Sequence, residues 1–200
     1  MTADGSRLLV TPSGILGTTI NSIYSIAPDG SDLRLLVAAA PGTRLGDATA
    51  SADGRHIAYT REAGATVEGA NSSVMIAGAD GTNPQRVGAG AGAEFSPDST
   101  QLLYTSTDPA DGGQAPVVSD LVGGGRIRVA SAAGMRANAL SWSPDGTQIL
   151  LGVASPFEQK NTVLAVRAPH GTQAHPPGAT SPGCLLGYRI VLQGDLDGAS

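Results

Sequence analysis

Apolar and polar residues alternate along this chain in short runs, each cut off by a cluster of turn-forming residues. In one run Leu8 and Val10 share a face and Leu9 takes the other; Ile57 and Tyr59 flank Ala58, Leu102 and Tyr104 flank Leu103, and Ile149 and Leu151 flank Leu150 in the same way. A period of two predicts β-strands, and apolar residues on both faces predict strands covered on both sides, as in stacked sheets. No segment combines a helical period with a capping residue and an apolar stripe, which argues against an α/β fold. The expected class is all-β.

The runs repeat. Aligned on an aspartate, the chain reads MTADGSRLLV at 1–10, ASADGRHIAY at 50–59, FSPDSTQLLY at 95–104 and WSPDGTQILL at 142–151. Asp4, Asp53, Asp98 and Asp145 are thus separated by 49, 45 and 47 positions. Asp and Gly suit a hairpin corner, because the carboxylate accepts backbone N–H groups while Gly takes a positive φ at no steric cost. Gly5, Gly54 and Gly146 follow their aspartates, Ser99 stands in that place in the third copy, and Pro97 and Pro144 fix φ on the approach. Trp142, Phe95, Ala50 and Met1 hold one position of the repeat, so Trp142, the only tryptophan, reads as core packing between repeats.

A second series lies between these motifs. NSIYSIAPDGSDLRLLV at 21–37, SSVMIAGADGTNPQRV at 72–87, APVVSDLVGGGRIRVAS at 115–131 and NTVLAVRAPHGTQAHP at 161–176 each read as strand, turn and further strand. In the third, the glycines at 123–125 take the corner. Together the two series predict a single repeat domain over 1–200, with units at about 1–45, 46–89, 90–136 and 137–200 and an irregular Pro/Gly-rich segment at 169–183. Each unit is read as a four-stranded antiparallel blade, and radial stacking of such blades buries both faces and protects the edges.

The run at 142–146, Trp-Ser-Pro-Asp-Gly, resembles the TolB-type β-propeller repeat, a relative of the WD-repeat class. Residues 95–99 carry the run with Phe95 as the aromatic and Ser99 for glycine, residues 50–54 keep Ser51, Asp53 and Gly54, and IYSIAPDG at 23–30 is similar to the family's third strand. The resemblance covers most of 1–168 and implies a β-propeller of about four blades. Its functional implication is broad, since the repeat occurs in translocation accessories, in propeller domains that gate peptidases and in lyases. Two departures bear on closure. Met1 falls at the aromatic position, so the chain opens at the end of a blade's first strand, and CLLGYRIVL at 184–192 lacks the Asp-Gly sequel. Either that last segment supplies the missing strand and closes a small ring, or the ring is incomplete; the Pro/Gly-rich run before Cys184 favours the incomplete ring, whose open strand edges invite self-association.

Charge narrows the partners. Twelve Lys and Arg stand against 17 Asp and Glu, with no basic cluster beyond GGRIRV, so nucleic acid is not expected. No apolar run reaches the length of a membrane span. The start, MTADGSRLLVTPSG, has no signal-peptide pattern, and cytoplasmic is the reading as written; a start further upstream would make the protein periplasmic or secreted. Cys184 is the single cysteine, which leaves the redox compartment open.

Candidate chemistry is sparse. His56 reads as a solvent-facing strand residue. His170 and His175 lie in the Pro-rich segment near Cys184 without zinc-site spacing, and the Asp195–Asp197 tail and the 107–113 turn lack the calcium-loop pattern, so no metal or cofactor is expected. No nucleophile elbow occurs, and the glycine-rich stretches lack the strand-to-helix setting of a phosphate loop. The expected function is a non-catalytic module that binds a protein or peptide, with the loops at 61–72 and 105–115 as one candidate face; the rival is an accessory domain of a propeller-containing peptidase or lyase.

Overall fold

The computed structural model describes residue 2 and residues 4–11, 21–64, 72–111, 114–129, 136–154 and 161–169. Among these residues every regular element is a strand except one 3-10 turn at Pro109–Asp111. The strands are β1 (Leu8–Val10), β2 (Ile23–Ile26), β3 (Arg34–Val37), β4 (Thr43–Ala50), β5 (His56–Ala63), β6 (Ser72–Gly78), β7 (Gln85–Phe95), β8 (Gln101–Ser106), β9 (Ala115–Asp120), β10 (Ile127–Arg128), β11 (Arg136–Trp142), β12 (Gln148–Ala154) and β13 (Asn161–Arg167). All pairings are antiparallel between sequence neighbours. They form a three-stranded sheet β1-β2-β3, a seven-stranded sheet β4 to β10, and a three-stranded sheet β11-β12-β13.

The central sheet turns on β7. Its first half, through Ala89, pairs with β6, and its second half, from Gly90, pairs with β8. Gly90 has φ +142, and a Cβ there would stand 2.2 Å from the carbonyl oxygen of Thr105, so the GAGAGA run makes the chain thin enough to change partners without a break. The sheet thereby folds back on itself. Ala58, Val74 and Ile76 of β5 and β6 pack against Phe95, Leu102, Tyr104 and Val117 on the far side of the pivot.

Two more apolar layers flank this one. Ile57, Tyr59, Met75 and Ala77 meet Ile23, Leu9 and Leu36 of the first sheet. On the other side Leu103, Val118 and Val129 meet Trp142, Ile149, Leu151 and Val166 of the last. The strands of the central sheet are therefore covered on both faces, with Ile57, Ala58, Leu102 and Leu103 at 0–1% exposure. The expectation of two-sided cover fails at the outer sheets. Leu8 and Leu150 are each 37% exposed, because among the described residues no further sheet lies beyond β1-β2-β3 or β11-β12-β13. His56 differs too: it is half-buried, and its Nδ1 is enclosed without a hydrogen-bond partner.

Several sequence expectations fall outside the described residues, namely those on Met1, the strand at 184–192, His170, His175, Cys184, Asp195 and Asp197. So do 65–71 and 112–113 of the two long loops; the described ends of those loops prolong β5 and β8 and carry the 3-10 turn.

Replacing Gly90 with Ala is expected to cost on the order of 3 kcal/mol in denaturant unfolding, since a side chain there must both hold a forbidden φ and displace strand backbone. A loss under about 1 kcal/mol would show that β7 can change partners by another path. Trp142, at 7% exposure, is expected to lose about 3–5 kcal/mol on truncation to Ala. Its emission in the wild-type protein should be blue-shifted from that of free tryptophan.

Candidate functional site

The four motif turns share one hydrogen-bond pattern. In each, a hydroxyl two residues before the aspartate donates to Oδ1: Thr2 to Asp4 at 2.7 Å, and Ser51 to Asp53, Ser96 to Asp98 and Ser143 to Asp145 at 2.6 Å. The same hydroxyl oxygen accepts the backbone N–H five residues on, from Arg7, His56, Gln101 and Gln148, at 2.9–3.0 Å. The carboxylate then takes the N–H two residues further along, at 3.0–3.1 Å. Each hydroxyl is thus engaged by its own aspartate and by the returning strand, so these serines and the threonine brace turns. Sequence reading singled out the Asp and Gly positions; the hydroxyl column was equally visible as Thr2, Ser51, Ser96 and Ser143.

Residue 99 of the third turn departs from glycine, with φ +61. Its Oγ accepts the backbone N–H of Asp53 at 3.1 Å, tying the third turn to the second. The fourth turn lies against the third by packing, for a Cβ on Gly146 would sit 3.6 Å from Cδ of Pro97. The second, third and fourth turns thus gather at one end of the strands, opposite the ends at which β5 and β8 finish.

Between the gathered turns is a recess of about 410 Å³. Its wall consists of Thr49–Ala52, Glu94–Pro97 and Trp142–Pro144, the ends of β4, β7 and β11 with the first residues of their turns. These are equivalent positions of three successive repeats: Ala50, Phe95 and Trp142 match, as do Ala52, Pro97 and Pro144. Most of the lining is apolar or committed to turn bonds. Glu94 is the one ionisable residue in it.

Glu94 was not foreseen, because its column holds Thr49 and Ser141 in the neighbouring repeats and no local motif marks it. Ser141 Oγ donates to Glu94 Oε1 at 3.1 Å, and the Trp142 indole Nε1–H donates to the Glu94 carbonyl at 3.4 Å. Burial raises the Glu94 pKa above its ordinary value, while the Ser141 hydroxyl and the Trp142 backbone N–H partly offset this. The motif aspartates shift the other way. Hydrogen bonds, led by the Thr2 and Ser143 hydroxyls, hold Asp4 and Asp145 at about 2, and the Ser51 and Ser96 hydroxyls lead the lowering of Asp53 and Asp98. The recess therefore offers a cleft of mixed polar and apolar lining, with one carboxylate that burial makes reluctant to ionise unless a cation or donor meets it. Among the described residues no group of three or more His, Cys, Asp or Glu side chains is placed to hold a metal.

No family model and no curated protein matches the chain by sequence. Solved structures do match by shape. A TolB from Acinetobacter baumannii superposes with a TM-score of 0.65 at 18% identity, over 86% of this chain and 40% of that one. A TolB-type protein from Agrobacterium tumefaciens gives 0.63 at 16% identity, over 84% and 59%. A prolyl endopeptidase gives 0.57 at 17% identity, over 95% and 30%. The chain has an all-β fold similar to that of several β-propeller proteins. At these identities the likeness shows the fold alone, and the chain spans 59% or less of the length of each of these structures.

Opposite pKa shifts give opposite pH slopes. The Glu94 contribution is greatest when the group is protonated in both states and is lost as pH rises through its raised folded-state value; those of Asp4 and Asp145 are present above 3.8 and lost as pH falls towards about 2. The melting temperature of Glu94→Gln relative to wild type is therefore expected to rise between about pH 4 and pH 7. A constant difference would mean that the carboxylate is as well solvated as in the unfolded chain.

Proposed function

We propose that this chain is a non-catalytic protein- or peptide-binding module of the TolB-like propeller type, built from about four four-stranded blades in an incomplete ring, and that the recess among the motif turns is its binding surface. The blade reading is supported by β7, whose two halves serve different neighbours and so divide the seven-stranded sheet into two sets of four. The observation that carries the functional reading is that three successive repeats present the same positions to one recess. Such a cleft follows from how these three repeats pack, without any contribution from the loops at 61–72 and 105–115. Its mixed lining suits a short segment with small side chains and a basic or amide group to meet Glu94.

A selection of displayed peptides on the immobilised protein tests this. Binders are expected to change the emission of Trp142, which lines the recess, and to weaken at least about tenfold when Ala50→Trp fills it. Binders indifferent to that substitution but lost on Arg61→Glu would move the binding face to the loop end. A second reading, an accessory unit of a larger propeller-containing peptidase or lyase, draws on the endopeptidase match, which takes up 95% of this chain within 30% of that enzyme. Under it the chain is expected to bind a separate catalytic domain through the same motif-turn end.

A further inference from the structure

Each junction between successive repeats is made by the same two kinds of face. The leading face of a repeat carries Ile57 and Tyr59 in the second, Leu102 and Tyr104 in the third, Ile149 and Leu151 in the fourth, all at 0–2% exposure. Ile57 and Tyr59 stack on Leu9 and Ile23 of the first repeat, and the two later leading faces stack on trailing faces that carry Ala58 with Val74, or Leu103 with Val118, all four at 0%. Two backbone features recur at these contacts. A Cβ on Gly81 would lie 2.1 Å from the carbonyl oxygen of Leu36, and one on Gly123 would lie 2.1 Å from that of Val87, so the outer turn of one repeat rests on the last strand of its predecessor. Thr60 Oγ1 accepts the N–H of Gly92 at 3.2 Å, and Thr105 Oγ1 that of Ala139 at 3.0 Å.

Among the described residues one face of each kind is left over. The leading face of the first sheet holds Leu8, Val10, Tyr24 and Ile26, in register across β1 and β2, with Leu35 paired to Tyr24 on β3. Leu8 is 37% and Leu35 54% exposed. Gly30, the counterpart of Gly81 and Gly123, has the same positive φ, yet nothing lies within 4 Å of the place a Cβ would take. The trailing face of the last sheet holds Leu150 opposite Ala165 and Gly152 opposite Val163, with Leu150 37% and Val163 50% exposed. Gly152 stands where Thr60 and Thr105 supply their hydroxyl, and the Leu140 side chain lies beside it, 3.5 Å from where a Cβ would be. At this place the face therefore presents apolar surface where its internal counterparts present a hydroxyl.

We propose that these two faces bind each other between copies of the chain, the leading face of one copy stacking head to tail on the trailing face of the next. The partner is a second copy because the contact continues an interface that the chain already makes between its own repeats, with the same strands, the same turn-on-strand approach and apolar surface on both sides. The contact is heterologous, so it closes into a ring of copies or extends as a file, and it leaves strand edges out of the association.

Light-scattering mass over about 1–100 µM protein reads this directly, with Leu8→Lys spoiling the leading face and Leu150→Lys the trailing face. Wild-type mass is expected to rise with concentration, and each variant alone to remain monomeric. A mixture of the two should form a 1:1 dimer and nothing larger, since one intact leading face meets one intact trailing face. Leu35→Lys and Val163→Lys repeat the test at more exposed positions should either first variant lose its far-ultraviolet β signal. A monomeric wild type, a Leu150→Lys variant that still dimerises, or association that survives both substitutions would overturn the proposal.

Discussion

A strand such as His56–Ala63 carries Ile57 and Tyr59 on one side and Ala58 on the other, and neither side can be left in water at the usual cost of about 25 cal/mol per Å² of apolar surface. That constraint organises the molecule. A sheet apolar on both faces needs a neighbour on each, and each neighbour brings the same need with it, so the chain advances by repeating one unit. The three apolar layers found between the sheets answer this need in turn. Even the sparse aromatics follow it, for Phe95, Tyr104 and Trp142 all lie in such layers.

Stacking alone would leave the sheets free to slide. The motif turns remove that freedom by placing a serine or threonine hydroxyl where it serves both the aspartate and the returning strand, which sets the register of every first hairpin alike. Contacts between turns then set the spacing. Ser99 accepts a left-handed backbone conformation, unusual for a side chain that is not glycine, and in return its hydroxyl holds the backbone of the second turn. Because the turns are pinned together, the strand ends beneath them leave a recess of defined composition, and Glu94 lies at the one place where a repeat substitutes a carboxylate for a hydroxyl.

The fold was legible where a local pattern recurs. Alternation identified the strand pairs on either side of each motif, and four aligned aspartates identified their corners. What escaped was non-local. The continuity of β7 could not be read from GAGAGA, whose composition equally suits a loop, and the recess residue Glu94 carries no motif because its meaning comes from Ser141 and Trp142, 47 and 48 positions away. Exposure at the outer sheets escaped for the same reason: Leu8 and Ile57 occupy one column of the repeat, and only the presence of a neighbour distinguishes them.

The shared strand has a mechanical meaning. Since β7 gives one half of its hydrogen bonds to β6 and the other to β8, both halves of the central sheet hang on one continuous strand, and β4 to β10 are expected to open together. The outer sheets are tied to that block by side chains and a few polar contacts, without a strand in common, and they can fray while it stands. Amide exchange would then divide this small repeat array into a slow centre and two faster margins, an order of loss written by one eleven-residue strand.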